Sequence, residues 1–438
     1  MENFKNNQKK SNMQKVALTA LAGTSIEWYD FFLYGAAAAL IFPTAFFGEM
    51  PPTTALLLSL LTFAAGFIAR PIGGIIFGHF GDKVGRKKTL ISALMLMGIS
   101  STLIGLLPTY AMIGVAAPIL LTTLRFAQGL AIGGQWGGAM LLVTESAPSD
   151  QRGYYGAFAQ AGAPIGVILA NLALIITSAL VSEEFFNTWG WRIPFLASAV
   201  LILISMYIQL NLEDTEAFKA LANNKDSQSN ENIRKSPVVE AIRKYPKRIF
   251  LAAGAFLSVQ VTFYILIAFM LAYGVSSANM ARDDMLAAVL IASAIMVPIQ
   301  FIFSSYSDRN GRKGIFMLGA VLTGIWAFAI FPLVDTGNFY LIVLSITGGL
   351  IFLAMMYGPQ AAFFTELFST EVRYSGATLG YQFGAIVGGA FAPTIAVKLW
   401  TEFDIIWVSA YIALASLLTL ISVMALTETY QSDLNNTD

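Results

Sequence analysis

Runs of about 20 apolar residues, separated by short polar turns, recur from one end of the chain to the other. A helix of that length crosses the hydrocarbon core of a bilayer, where every backbone polar group must be satisfied internally. Only 12% of the residues are charged, against roughly 25% in a soluble domain. The sequence therefore predicts an all-α polytopic membrane protein with about twelve transmembrane helices. The predicted spans are 16–42, 53–80, 89–107, 115–144, 155–180, 191–210, 249–274, 286–305, 314–334, 339–366, 375–398 and 404–427.

The longest polar stretch, residues 211–248, is rich in asparagine and serine and indicates a linker. It separates two predicted six-helix bundles, 16–210 and 249–427, and residues 1–15 and 428–438 are predicted tails. Lysine and arginine are concentrated in the N-terminal tail, the linker and one alternate set of loops. By the positive-inside rule these segments are cytoplasmic, so we expect both termini on the cytoplasmic side of the inner membrane.

The composition argues against several classes of function. The chain has no cysteine and one histidine, His79, which excludes a disulfide framework, a thiolate metal site and a histidine cluster. Its formal net charge is zero, which argues against a nucleic-acid partner. No phosphate-binding Gly-x-x-x-x-Gly-Lys-[Ser/Thr] motif is present, which disfavours an enzyme and ATP as the energy source. We therefore expect neither enzymatic activity nor a metal or cofactor.

An internal repeat divides the chain into two related halves. The segment GHFGDKVGRKK at 78–88 returns as SSYSDRNGRK at 304–313. A second motif, a glutamate followed at a fixed distance by an arginine, occurs in corresponding loops of both halves. Two motifs in matching loops predict two parallel repeats of six spans each.

The charged residues of these two motifs are predicted to form a gate. A carboxylate at a helix end can pair with an arginine or with the N-terminus of a neighbouring helix. Such contacts can hold two bundles together at one face and break when the bundles rearrange. The predicted gate residues are Asp82, Arg86, Glu145, Arg152, Asp308, Arg312, Glu366 and Arg373.

Four charged residues stand out because they lie away from the ends of predicted spans: Glu27, Asp30, Arg70 and Arg125. Each costs about 2.5–3.5 kcal/mol in hydrocarbon, so each needs a partner or a function. The two acids are close together on one helix and can hold a proton, or one of them can lock the bundle through an arginine. Arg125 offers a planar fork that suits a carboxylate, or it forms a structural pair, and the same two interpretations stay open for Arg70.

The loop at 78–88 resembles the signature loop of the major facilitator superfamily, G-x-x-x-D-[RK]-x-G-R-[RK], although Ser304 replaces the first glycine in the second copy. Within that superfamily the chain resembles the metabolite–proton symporter family, most of all its shikimate-transporter branch. Gln135 departs from the pattern, because the family more often has a glutamate there. The matching stretches are IEWYDFFLYG (26–35), ARPIGGIIFGHFGDKVGRKK (69–88), RFAQGLAIGGQWGGA (125–139), ESAP (145–148) and GWRIPF (190–195).

The resemblance implies a major facilitator fold and proton-driven transport of organic acids or zwitterions such as shikimate, 2-oxoglutarate, citrate, proline or betaine. We expect a monomeric symporter that imports such a metabolite by alternating access, with protons, the metabolite and the bilayer as its partners. Glu27, Asp30 and Arg125 are predicted to couple protons to transport. The predicted substrate-binding residues are Tyr29, Tyr34, Arg125, Gln128, Gln135, Gln260, Tyr264, Tyr357, Gln360 and Gln382.

A proton-coupled antiporter that exports drugs or antibiotics is the alternative. Gly162, Pro164 and Gly166 in the fifth predicted span approximate the G-P-x-x-G motif of such antiporters. The match is incomplete, because Ala163 stands where the first glycine of the motif belongs.

Overall fold

The computed structural model describes the backbone of residues 2–84, 86–133, 136–213, 237–369 and 373–430, and the side chains of 13–77, 91–133, 140–141, 143–207, 241–369, 373 and 375–430. Short turns separate the helices, and no strand occurs among these residues. The long helices are α1 (Glu2–Leu40), α2 (Pro52–Val84), α3 (Arg86–Leu106), α4 (Ala116–Gly133, then Trp136–Ser146), α5 (Arg152–Leu180), α6 (Ile193–Glu213), α7 (Pro246–Tyr264, continued by Ile265–Phe269 and Met270–Ser276), α8 (Arg282–Asn310), α9 (Arg312–Val334), α10 (Phe339–Glu366), α11 (Arg373–Gly384, continued by Ala385–Ala390 and Ala392–Glu402) and α12 (Ile405–Ala425). Short helices connect some of them at Phe42–Phe47, Tyr110–Ile113, Glu183–Thr188 and Pro237–Lys244.

The length and apolarity of these helices fit a bilayer. Within the described part of the chain, ten helices are long and apolar enough to cross a membrane. A further helix, α3, has a shorter apolar stretch at Ile91–Leu106, and α1 carries Glu27 and Asp30. Helices α1–α6 and α7–α12 form the two bundles, which confirms the predicted fold class.

Three helix boundaries extend into segments that the sequence predicts to be tails or linker. Helix α1 already begins at Glu2, and α6 continues to Glu213. The predicted linker also contains the helix Pro237–Lys244, and Pro246 then starts α7. Proline favours the first turn of a helix, because its fixed φ fits and its missing N–H is not needed there. The buried Ala241 ties this short helix to the C-terminal bundle.

The two bundles meet along α5, which packs against α8 and α10 of the other half. The approach is close at Gly156, where an added Cβ would lie 3.0 Å from the Cβ of Ala361. Two buried amides also cross the boundary. Gln160 Nε2 donates to the carbonyl of Tyr357 over 3.1 Å, and Gln300 Nε2 donates to the carbonyl of Ala157 over 3.3 Å. Small residues thus allow the backbones to approach closely, and the amide hydrogen bonds fix the position of one half relative to the other.

Two π-helical segments interrupt the spans that face this boundary. In α7 the segment Ile265–Phe269 follows directly after Tyr264, and in α11 the segment is Ala385–Ala390. Such segments occur frequently at functional sites, because they rotate the following side chains relative to the preceding helix. In α11 the segment places Gly389 where a Cβ would meet the rings of Tyr264 at 2.9 Å and Phe67 at 3.0 Å. A glycine there lets α2, α7 and α11 converge.

Candidate functional site

A central cavity lies between the two bundles. Trp28 and Phe32 of α1 and Ala163 of α5 form the N-terminal wall. The C-terminal wall is mostly aromatic, with a buried glutamine, Gln260, and several tyrosines among its residues. Its described residues are Phe256, Val259, Gln260, Phe263, Tyr264, Leu353, Tyr357 and Tyr381.

Arg70 lies directly behind the aromatic wall of the central cavity. Its guanidinium carbon is 4.4 Å from the ring centroids of both Phe31 and Phe67, and 5.4 Å from that of Trp28. The side chain is 1% exposed, and none of its three guanidinium nitrogens has a hydrogen-bond partner within the described structure. Cation–π contacts and the nearby hydroxyl of Tyr264 offset part of the cost of burying this charge, but no guanidinium nitrogen forms a hydrogen bond of ordinary geometry within the described structure.

Arg125 is also packed against aromatic rings, but none of these rings lines the central cavity. Its guanidinium carbon lies 4.2 Å from the ring centroid of Phe31 and 4.3 Å from that of Tyr34. Nη1 donates to Gln128 over 3.1 Å, and Gln128 in turn donates to Ser101 over 2.7 Å. Nε and Nη2 have no hydrogen-bond partner in the described structure. Arg70 and Arg125 therefore share the ring of Phe31, and together they present several unpaired donors in the N-terminal bundle.

Asp30 is buried in the same bundle, within electrostatic range of Arg125 but without an ion pair to it. Its Oδ1 accepts a short hydrogen bond from the hydroxyl of Ser198 in α6, and its Oδ2 has no partner within the described structure. No guanidinium nitrogen lies within ion-pair distance of Asp30 among the described residues, although its charge acts on Arg125 at longer range. A buried carboxyl held by a hydroxyl can be neutralised by a proton. Glu27, on the same helix, is half-buried.

The structure places the predicted substrate-binding residues in several environments. Gln260, Tyr264 and Tyr357 line the central cavity, and Gln128 supports Arg125. The hydroxyl of Tyr29 donates to the carbonyl of Pro194 over 2.8 Å. Tyr34 shares a hydrogen bond of 2.6 Å with Thr62.

Two further predicted substrate-binding residues, Gln360 and Gln382, do not line the central cavity. Gln360 lines a second cavity nearer the end of α10. Gln382 lines neither cavity, whereas its neighbour Tyr381 lines the central one. Gln135 lies outside the described residues.

Several residues of this region had no signal in the sequence. Trp28, Phe31 and Phe67 surround Arg70, but aromatic residues are common in every span. Ser198 lies in an apolar helix far along the chain from Asp30, and only the packing of α1 against α6 brings the two together.

The predicted gate residues converge at one end of the bundles, the end that carries the loops at 78–88 and 304–313, which we name the signature face. Asp308 of the C-terminal half accepts hydrogen bonds from the backbone N–H groups of Gly153 and Tyr154, each 2.8 Å long. These groups belong to the first turn of α5, where N–H groups have no partner within their own helix. Asp308 therefore caps a helix of the opposite half.

Ion pairs reinforce this contact. Arg312 pairs with Asp308 at 2.6 Å and with Glu366 at 3.1 Å, both within the C-terminal half. Two longer pairs cross between the halves, from Arg152 to Glu366 at 3.9 Å and from Arg373 to Glu145 at 3.4 Å. The side chains of two further predicted gate residues, Asp82 and Arg86, lie outside the described residues.

The start of the predicted C-terminal tail also joins this network. Glu428 accepts hydrogen bonds from the backbone N–H groups of Arg312 at 3.0 Å and Lys313 at 2.9 Å, so it caps α9. The hydroxyl of Thr429 donates to Glu366 over 2.8 Å. The first residues of this segment are thus part of the gate region.

Contacts also join the halves at the opposite end, which we name the far face. The hydroxyl of Ser178 donates to Asp283 over 2.8 Å, and Asn171 Nδ2 donates to the carbonyl of Leu286 over 3.1 Å. Hydrogen bonds therefore connect α5 to the C-terminal half on both sides of the central cavity.

A family model described as Major Facilitator Superfamily matches residues 20–379. The chain belongs to the Major Facilitator Superfamily. This match confirms the resemblance that the signature loop indicates. The members compared below are transporters rather than enzymes, and the chain is accordingly a membrane transporter of this superfamily.

Curated relatives cover nearly the whole of this major facilitator. It is 39% identical to the inner membrane metabolite transport protein YhjE of Escherichia coli K12, over 97% of this chain and 96% of that protein. It is 37% identical to the shikimate transporter of the same organism, over 92% of both chains. Identity to the proline/betaine transporter of E. coli K12 is 32%, over 91% of this chain and 80% of that protein.

Solved structures agree with the fold. A crystal structure of a D-xylose–proton symporter has a TM-score of 0.72 at 18% identity and covers 96% of this chain and 99% of its own. The inward-open conformation of the xylose transporter XylE from E. coli has a TM-score of 0.69 at 17% identity, over 96% and 98% of the two chains. At such identity the likeness concerns the fold of two six-helix bundles.

Proposed function

We propose that this major facilitator is a proton-coupled symporter that imports a small organic acid or a carboxylate-bearing zwitterion by alternating access. The observation that carries the proposal is the pair of buried guanidiniums, Arg70 and Arg125, which lie behind aromatic residues of the N-terminal bundle and whose N–H groups largely lack hydrogen-bond partners in the described structure. An unpaired buried charge costs several kcal/mol, and arginine cannot shed its proton to escape that cost. A carboxylate ligand would satisfy these donors with the bidentate geometry that arginine favours.

Asp30 supplies the titratable group of the proposed mechanism. When Asp30 is ionised, its charge partly balances Arg125. A proton on Asp30 removes this balancing charge. The two guanidiniums would then attract the anionic solute more strongly. Proton binding and anion binding then favour each other, and this coupling is reciprocal by linkage.

The names of the relatives and the residues of the cavity wall both support a carboxylate-bearing solute. Shikimate, proline and betaine, which the names of the relatives print, all carry a carboxylate. The aromatic residues of the central cavity offer flat apolar faces, and Gln260, Tyr264 and Tyr357 offer hydrogen-bonding groups. Such a wall suits a compact body with hydroxyl groups whose carboxylate points toward Arg70.

The proposed orientation places the signature face and both termini in the cytoplasm, with the chain in the inner membrane. Basic residues are concentrated in the loops of that face, and one relative is an inner membrane protein. The gate residues of the signature face would separate when the solute is released inward. The protein would work as a monomer, with the proton gradient in place of a cofactor.

The antiporter alternative has no comparable observation in its favour. An added Cβ at Gly162 would lie 2.6 Å from the Cβ of Thr24, and one at Gly166 would lie 2.5 Å from the Cβ of Trp28. These glycines allow α5 to approach α1 within the N-terminal bundle. The packing accounts for them without a role in export.

Uptake of labelled shikimate into proteoliposomes tests the proposal. An inward proton gradient should drive accumulation, a protonophore should abolish it, and Arg125→Ala should weaken solute binding at least about tenfold, the equivalent of one lost hydrogen bond. Gln382→Leu, which alters a buried glutamine outside both cavities, is the matched control. Uptake that is insensitive to the protonophore would refute proton coupling, and unchanged binding by Arg125→Ala would refute the role of Arg125 in the carboxylate anchor.

A further inference from the structure

A second cavity lies between the halves, closer to the signature face than the central one. The order of the lining residues along two helices, α10 and α5, defines the position of this cavity. On α10, Tyr357 lines the central cavity, Gln360 and Thr365 line the second, and Glu366 belongs to the gate. On α5, Ala163 lines the central cavity and Gln160 the second, with the capped first turn beyond them. A solute that passes between the central cavity and the signature face must cross this space.

The second cavity contains polar groups that lack partners. Gln360 is 1% exposed, and neither its Oε1 nor its Nε2 has a hydrogen-bond partner within the described structure. Gln160 is also 1% exposed and uses its Nε2 on the carbonyl of Tyr357, which leaves Oε1 without a partner. Buried amides are nearly always hydrogen-bonded, so three unsatisfied atoms in one cavity wall indicate that this wall accepts a polar group, such as a water molecule or a hydroxyl of the solute.

The chemistry of this cavity differs from that of the charged site. None of the nine described residues that line it carries a charge. The amides offer one donor group and two acceptor atoms, and Met140 and Phe364 supply apolar contacts. This set can hold hydroxyl groups and an uncharged ring, but it offers no counter-ion to a carboxylate.

The geometry points to a second solute-binding site between the central cavity and the gate, where Gln160 and Gln360 bind the uncharged, hydroxyl-bearing part of the transported solute. The inference rests on the proposed function, because the ligand is the same solute on its way to the signature face. Arg70 and Arg125 would bind the charged group of the solute, whereas the two glutamines would bind its hydroxyl groups at a separate site.

The chain has no cysteine, so a single engineered thiol can report on this cavity. Thr378 lines the cavity and is half-buried. The full-length protein with Thr378→Cys is reconstituted in proteoliposomes, and the rate of alkylation by N-ethylmaleimide is measured with shikimate or its uncharged methyl ester. Arg125→Ala is added to weaken the charged site.

In this Arg125→Ala background both compounds should still slow alkylation. Gln360→Leu should raise the concentration needed for protection by about tenfold, the equivalent of one hydrogen bond. Gln382→Leu, the matched change outside the cavity, should leave that concentration unchanged. If Gln360→Leu does not purify as a folded protein, Gln360→Asn, which keeps the amide but shortens its reach, should shift protection in the same direction.

Two results would overturn the second site: no protection by either compound in the Arg125→Ala background, or equal shifts from the changes at Gln360 and Gln382. A different result would show that the proposed function is wrong. With Arg125 intact, the carboxylate anchor requires shikimate to protect at lower concentration than its methyl ester. Equal protection there would refute the anchor while leaving the result on the second cavity to stand.

Discussion

Asp308 in the C-terminal half accepts a hydrogen bond of 2.8 Å from the backbone N–H of Gly153 in the N-terminal half. The same carboxylate pairs with Arg312 at 2.6 Å. The signature loop of one half thus uses its carboxylate to cap the first turn of α5 in the other half, where the helix dipole favours a negative charge. We propose that closure of the signature face depends on this contact.

Gly153→Ala should weaken that closure. An added Cβ would lie 2.7 Å from Arg312 Nη1 and 2.8 Å from both Asp308 Oδ1 and the carbonyl of Ser304, and a backbone carbonyl cannot move aside cheaply. Alkylation of Thr378→Cys from the signature face should become about tenfold faster, as expected for a cost of roughly 1.4 kcal/mol to the closed state. Gly314→Ala is the control, because an added Cβ there meets nothing within 4 Å. Equal rates in the two variants would contradict the prediction.

Arg70→Gln should weaken solute binding without lowering the thermal stability of the protein. Loss of a charged donor pair should weaken shikimate binding by about tenfold to a hundredfold, measured by equilibrium binding to the purified protein. The melting temperature should not fall, because the change removes a buried charge that no hydrogen bond satisfies.

Arg192→Gln provides the contrast to Arg70→Gln. Arg192 donates to the carbonyls of Leu107 at 2.8 Å and Thr188 at 3.2 Å, so its replacement should lower the melting temperature without a selective loss of binding. A large thermal destabilisation by Arg70→Gln with unchanged affinity would show that Arg70 has only a structural role.

Asp30→Asn should abolish proton-driven accumulation while sparing exchange of solute across the membrane. The amide keeps the size of the side chain and can still accept from Ser198, but it cannot take up a proton. Accumulation and counterflow of labelled shikimate in proteoliposomes distinguish the two activities. Glu27→Gln is the comparison: if it abolishes accumulation and Asp30→Asn does not, the coupling proton is carried by Glu27.

Tyr264→Phe should weaken solute binding by about tenfold through the loss of one hydroxyl in the central cavity. Packing should survive, because the ring of Tyr264 keeps its contacts with Phe67 at 5.0 Å and Phe63 at 5.7 Å between centroids. Tyr273→Phe in the same span is the control. Its hydroxyl donates to Asp335 over 2.6 Å away from the cavity, so this change should affect thermal stability and leave affinity unaltered.

The fold was largely predictable because the bilayer imposes a simple rule on the chain. Apolar runs long enough to cross it mark the spans, and the repeated loop marks the two halves. The prediction was least accurate at helix ends, where α1, α6 and Pro237–Lys244 extend into polar segments. Backbone hydrogen bonds within a helix do not require apolar side chains, so helices can continue beyond the hydrocarbon.

The sequence by itself determined the twelve spans, their division into halves and the presence of four charges in hydrocarbon. It also determined which residue types could meet at the gate, because the motif pairs recur in both halves. Only the tertiary structure decided that Asp30 bonds to Ser198 instead of an arginine, that Arg70 and Arg125 share the ring of Phe31, and that Gln360 and Gln382 have different surroundings. The physical reason is that a sequence pattern reports the polarity of a helix face. The rotation and depth of each helix are set by close packing at small residues and by the hydrogen bonds that cross between helices.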